Sequence, residues 1–297
     1  MKNVLRLMCF VMAIQLQAQT TTINNQITDS RDREVLWGEL NQDGLSQAPF
    51  SSWFTNGFTK YEPDPALTEQ LKLALKPYSI KVFMGTWCGD SKREVPRLLK
   101  ILEMANFDMD KLTVIGVRGD APYYKMGPNK EEFGMAIHRV PTIILYQNGS
   151  EVNRIVESAV DTLEQDLLNI TQGNYQANYP VVQATAKILN QEGLNGLSNS
   201  KIKKLAAIWK PQVESVYELN TYARTLLAGN QNQQAIAVLK LNIALFPEDH
   251  RAYYSLANKL ETLEEEKQAI GYYKKALKLD PENQDYLAAL DRLKSQN

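Results

Sequence analysis

A 34-residue period runs through the last third of the chain and constrains its fold more than any other feature. Ala223 recurs as Ala257, Ala235 as Ala269 and Pro247 as Pro281. A chain repeating at this interval builds one supersecondary unit per period, and each unit buries its apolar face only against a neighbour. Strand signals vanish at residues 172–180, and from Val181 onward the apolar residues keep helical spacing. Small residues let paired helices approach closely, large ones fill the gaps, and a proline ends the second helix. In the second copy these roles fall to Leu256, Ala257, Ala269, Tyr273, Ala276 and Pro281; the first copy has Leu239 where the second has Tyr273, and Asn242 where it has Ala276. Two copies bury too little for a solenoid core alone. Residues 284–293 are therefore expected to cap one end, and helices within 181–215 to cover the other.

The 297 residues leave room for about two domains, and the part ahead of the repeats reads differently. Residues 80–84 form a buried strand, 91–102 an amphipathic helix interrupted by Pro96, 112–117 a second strand and 130–137 a short helix. The strand at 143–146 pairs through an Asn148-Gly149 turn with 151–156, and 163–170 close with a helix. The order βαβαββα implies an α/β layer with helices on both faces of a central sheet. Ahead of it, 67–75 are helical up to Pro77. Trp37, Phe50, Trp53, Phe54, Phe58 and Tyr61 make 35–61 a packed aromatic extension, and 20–32 are polar and loose.

At the N-terminus, Lys2 and Arg6 precede an apolar run at 7–14 and the sequence Leu16-Gln17-Ala18. That is the layout of a cleaved secretory signal, and so short a run cannot span a bilayer. Export to the periplasm or cell envelope is the expectation. Cleavage leaves 31 basic against 34 acidic residues, a net charge of −3 that offers nucleic acid or anionic lipid no strong basic field. It also removes Cys9, so that any disulfide made by the remaining Cys88 must be intermolecular. The expected boundaries are 1–19 for the signal, 20–62 for the extension, 63–175 for the α/β domain, 176–215 for a helical connector and 216–297 for the repeats with their cap.

Trp87-Cys88-Gly89-Asp90-Ser91 joins the strand at 80–84 to the helix that follows. Amides in the first turn of a helix lack intrahelical partners, and the helix dipole adds partial positive charge, so a thiolate at Cys88 is stabilised there. The thiolate is the nucleophile. Lys92 and Arg93 can reinforce it. Ser91 can donate a hydrogen bond to the sulfur but cannot attack a mixed disulfide, and Asp90 reads as a helix-start stabiliser with a proton shuttle as the alternative. His138 and His250, the only histidines, stand far apart in sequence, and no phosphate loop, serine triad or dinucleotide fingerprint occurs. No metal and no cofactor are expected.

Together with Pro96, with Val140-Pro141-Thr142 ahead of a strand and with Asn148-Gly149 in a hairpin, these residues resemble the thioredoxin superfamily over about residues 66–172. The repeats resemble tetratricopeptide repeats. The resemblances imply an α/β thioredoxin-like domain with an N-terminal extension, followed by an all-α tetratricopeptide-type domain. They also imply a cis Pro141 against Cys88, a Val140 backbone that pairs with an extended substrate segment, and a Trp87 that shields one side of the sulfur; Gly89 and Asp90 line the same groove. Two departures coincide. Ser91 replaces the resolving cysteine, and Val82 stands where many thioredoxins bury an aspartate that helps deprotonate it. Both losses remove the half-reaction that releases substrate, while the capture half is intact. Glu157, where thioredoxins usually have glycine, reads either as a carboxylate near the groove or as a solvated strand-end charge.

The expectation is a monothiol exchange enzyme. Cys88, with Ser91 beside it, attacks a disulfide or oxidised thiol on a protein client, an external thiol reductant releases the mixed disulfide, and the repeats bind clients. A non-catalytic client-binding scaffold and a redox sensor are the alternatives.

Overall fold

The computed structural model describes residues 22–295; the expected signal segment lies outside the described residues. A mixed α/β sheet region comes first and a helical region follows. The segment expected to be loose is tied down from Asn24 onward, whose amide donates to the Glu39 carbonyl. In it β1 (Gln26–Thr28) pairs antiparallel with β2 (Glu34–Leu36). Asp29 is buried, holds the Arg33 guanidinium at 2.6 Å and accepts the amides of Arg31 and Arg33. A polar stretch orders readily when its charges are satisfied within the fold.

The central sheet has the order β3-β5-β4-β6-β7, formed by β3 (Gly38–Leu40), β4 (Tyr78–Met84), β5 (Leu112–Gly116), β6 (Thr142–Gln147) and β7 (Ser150–Val156). Only β4 and β5 are parallel. The β6–β7 turn places Asn148 at φ 51° and Gly149 at φ 77°, the left-handed pair that a two-residue hairpin requires. Alternation along β4 sorts its side chains between two cores. Ile80, Val82 and Met84 pack with Phe54, Leu71, Leu98 and Leu167; Phe83 packs on the opposite face with Ile115, Val117, Ile137, Val140 and Ile144.

Among the described residues this region holds five α-helices: α1 (Gln42–Leu45), α2 (Ser51–Lys60), α3 (Pro65–Ala74), α4 (Gly89–Met104) and α5 (Leu163–Thr171). Asp64 caps α3 by accepting the amides of Ala66 and Leu67, and Pro65 occupies the first turn, where its missing N–H costs nothing. α4 runs unbroken through Pro96, contrary to the expected interruption. The Pro96 ring lies against Gly57 of α2, where an added Cβ would stand only 3.1 Å from it. This close helix contact offsets part of the lost hydrogen bond.

The connection from β5 to β6 carries no helix. The one expected over 130–137 is a succession of turns, because Lys130, Gly134 and Ala136 adopt φ values of 59°, 74° and 54° and each ends a right-handed run. Helices on both faces of the sheet were expected from this connection. Instead Met135, Ile137 and Val140 of an irregular strap cover Phe83, Ile115 and Ile144.

The helical region comprises α6 (Pro180–Glu192), α7 (Asn199–Trp209), α8 (Val216–Ala228), α9 (Asn232–Leu245), α10 (His250–Thr262), α11 (Glu266–Leu279) and α12 (Gln284–Ser295). Its period appears in the element bounds: α10 begins and ends 34 residues after α8, and α11 does the same after α9. Ala223, Ala257, Ala235, Ala269, Tyr273 and Ala276 are all buried. One core joins all of these but Ala276 to Val182, Ile202 and Ala206 of α6 and α7 and to Leu290 of α12. Asn242 is fully buried; its amide donates to the Val216 carbonyl at 2.7 Å and to Asn220 Oδ1 at 2.8 Å, and its own Oδ1 is unpartnered. No helix among the described residues is long and apolar enough to cross a membrane.

Candidate functional site

Cys88 stands where β4 gives way to α4. It is the N-cap of that helix, in extended backbone at φ −95° and ψ 129°, and its side chain is half-buried. The thiol donates to the Val140 carbonyl at 3.2 Å, and the Val140–Pro141 peptide is cis. Trp87 flanks the site. Its indole N–H donates to the Val117 carbonyl at 2.8 Å, and the ring lies so close to Gly85 and Gly119 that a Cβ on either would meet it at 2.5 or 2.6 Å. The Arg33 guanidinium lies 5.8 Å from the ring centroid. Gly89 is exposed with open space where a side chain would begin, and Asp90 pairs with Arg93 at 2.9 Å within the first turn of α4.

Three residues beside the cysteine are engaged elsewhere. Ser91 is fully buried and its Oγ accepts the amide of Gly85 at 3.1 Å, on the core side of the helix. The Lys92 ammonium lies over the Trp53 ring at 5.9 Å, and Arg93 divides itself between Asp90 and Glu94. The cations expected to reinforce a thiolate thus have other partners.

Other charged side chains come from farther along the chain. Glu157 sits at φ 70°, donates its amide to the Pro141 carbonyl at 2.7 Å, and accepts from Arg139 at 2.9 Å and from the Tyr179 hydroxyl. It is a paired carboxylate beside Pro141, not a solvated one. Lys125 is 4% exposed at φ 59°; its ammonium donates to the His138 carbonyl and lies 4.6 Å from the Tyr124 ring centroid. Burial pushes that ammonium down to about 7; Arg139 and Arg224 act in the same direction, while Cys88 and Glu157 oppose it. Arg224, reaching in from α8, lies over Tyr124 at 3.7 Å, and burial raises the Tyr124 phenol above its ordinary value.

His138 is buried between the rings of Tyr179 and Tyr222, with Nδ1 at 3.1 Å from the Ala136 carbonyl and Nε2 unpartnered. Burial pushes it down to about 3, so it is neutral near pH 7. His250 lies between α10 and α12, its Nδ1 2.6 Å from the Tyr286 hydroxyl. The sequence reading passed over Tyr124, Lys125, Arg139, Tyr179 and Arg224. Its one available signal was a lysine inside the run Ala121-Pro-Tyr-Tyr-Lys-Met126 with no acid in it.

Fold and site together define a class: a mixed α/β region presenting a half-buried cysteine at a helix start, followed by helical repeats. No family model matches the chain. Over 83 residues, 28% of its length, the chain is 39% identical to a UDP-N-acetylglucosamine–peptide N-acetylglucosaminyltransferase of Giardia intestinalis. The match spans only 6% of that protein.

Proposed function

We propose that the chain is an exported, thioredoxin-like monothiol exchange protein, with its α/β domain over about 63–175 and tetratricopeptide-type repeats that hold protein clients. The observation that carries this reading is the half-buried Cys88 thiol at the opening of α4, 3.2 Å from the carbonyl that precedes a cis proline. The deprotonated sulfur attacks one sulfur of a client disulfide; a new S–S bond forms as the old one breaks, and the second client sulfur leaves as a thiolate. An external thiol then attacks the mixed disulfide and regenerates Cys88, since no second thiol stands among the described residues. A cleft of about 640 Å³ bordered by Met135, Glu151, Arg154 and Lys187 does not include Cys88. An extended client segment lying across Val140 suits a sulfur at an open edge better than an enclosed small molecule does. The resemblance to the glycosyltransferase is too short to bring that protein's activity to this chain, and supports helical repeats alone.

Ser91 favours a second reading, a client-binding scaffold with an idle cysteine, because its hydroxyl is buried and engaged with Gly85. One pair of variants separates the two. Ser91→Cys should gain dithiol-dependent reduction of a disulfide peptide, and Cys88→Ser should lose all covalent client capture in a thiol-trapping assay. A folded Ser91→Cys with no reductase activity, together with undiminished client binding by Cys88→Ser, would leave only the scaffold.

A further inference from the structure

A lysine is almost never sealed inside a fold without an ionic partner, and left-handed backbone is costly for any residue with a Cβ. Lys125 bears both costs at once. Its ammonium meets the His138 carbonyl and the Tyr124 ring; the charged and titratable groups around it are Arg139 and neutral His138 on the strap, Arg224 from α8, Glu157 after β7, and Cys88 at the head of α4. Two of these are cations that repel it. Glu157 is shared with Arg139 and Tyr179. The remaining groups able to turn anionic are the Tyr124 phenol, which burial raises above its ordinary value, and the Cys88 sulfur. Geometry joins lysine and sulfur through the strap, which presents the His138 carbonyl to Lys125 and, two residues on, the Val140 carbonyl to the Cys88 thiol.

We propose that Lys125 is a positioning residue for Cys88: its ammonium, fixed by the His138 carbonyl, stabilises the sulfur anion formed when the thiol proton leaves the Val140 carbonyl for solvent. No bond forms to the lysine and no electrons pass through it; the thiolate alone attacks the disulfide. Its biological use rests on the monothiol reading, whereas the charge coupling needs no client. Burial brings the amine's titration into the neutral range, so the reactivity of the sulfur follows the charge of the lysine there.

The test is the rate of Cys88 alkylation by iodoacetamide against pH. In Lys125→Met the midpoint should rise by about one pH unit, as expected when an opposite charge is withdrawn, and Lys125→Arg should restore most of it. An unchanged profile in a folded Lys125→Met overturns the proposal. If neither variant folds by circular dichroism, NMR titration of isotope-labelled lysine amines in the wild-type protein decides. The Lys125 midpoint should fall when Cys88 is capped with a neutral methylthio group, and a midpoint that does not move overturns the proposal. A wild type that exchanges no disulfide but shows these shifts would sink the enzyme reading and leave the coupling standing; exchange without the shifts would do the reverse.

Discussion

Lys125 also ties the stability of the fold to pH. Its folded-state amine titrates near 7, while an unfolded lysine keeps its proton to about 10.4. Between those values the unfolded chain binds more protons, so stability should rise with pH at up to about 1.4 kcal/mol per unit. Urea unfolding from neutral to mildly alkaline pH should show this rise, and Lys125→Met should flatten it; an equal slope in both would contradict the buried charge. At this scale the legible part of the site was local. Trp87, Cys88 and Pro141 announced themselves because a strand, a turn and a helix start lie within a few residues of one another, or before a strand with a proline at its head. Ser91 was expected to face the sulfur, and its buried Oγ instead accepts the Gly85 amide. Its place in the first turn of α4 turns it to the core. Lys125, Arg139 and Arg224 meet only through tertiary packing, which leaves no mark on the spacing of any one segment.

Among the elements, those with strong periodicity were legible and those shaped by single dihedrals were not. The buried strand β4 and the hairpin β6–β7 follow from apolar runs and Asn148-Gly149. The strap between β5 and β6 does not, because left-handed Lys125, Lys130 and Ala136 carry side chains that ordinarily favour a right-handed helix. The three-residue strand β3 was hidden in the extension; it is too short for alternation to show, and pairing with β5 alone defines it. In the repeats the small residues gave the helix pairs, yet Asn242 departs from the pattern for a reason. From α9 its amide donates both to the Val216 carbonyl and to Asn220 Oδ1 of the adjoining helix α8. Asn242→Ala, which matches its counterpart Ala276, should therefore destabilise the chain by about 1–3 kcal/mol in urea unfolding. A neutral or stabilising result would mean that the unpartnered Oδ1 cancels the bridge.

Across the whole molecule the two regions share a seam and not a loose tether. Asn190 of α6 donates to the Gly134 carbonyl at 3.0 Å, and Asn178 donates to the carbonyl of Ser158 at 3.0 Å. Tyr179 and Tyr222 enclose His138, and Arg224 covers Tyr124. Calorimetry should accordingly give one cooperative transition. Tyr222→Ala, which empties space beside His138, should cost about 3 kcal/mol and lower the midpoint of the sheet and helix signals together; two transitions, with only the helical one displaced, would refute the coupling. Strand signals vanish at residues 172–180 and nothing local marks the seam, although Tyr175 anchors that stretch through Asp166 and Asn153. The contact of Arg224 with Tyr124 has a consequence for inheritance and engineering. The sulfur's surroundings are a joint possession of both halves, so a chimera that grafts the sheet onto foreign repeats would transplant the thiol and leave its electrostatic setting behind.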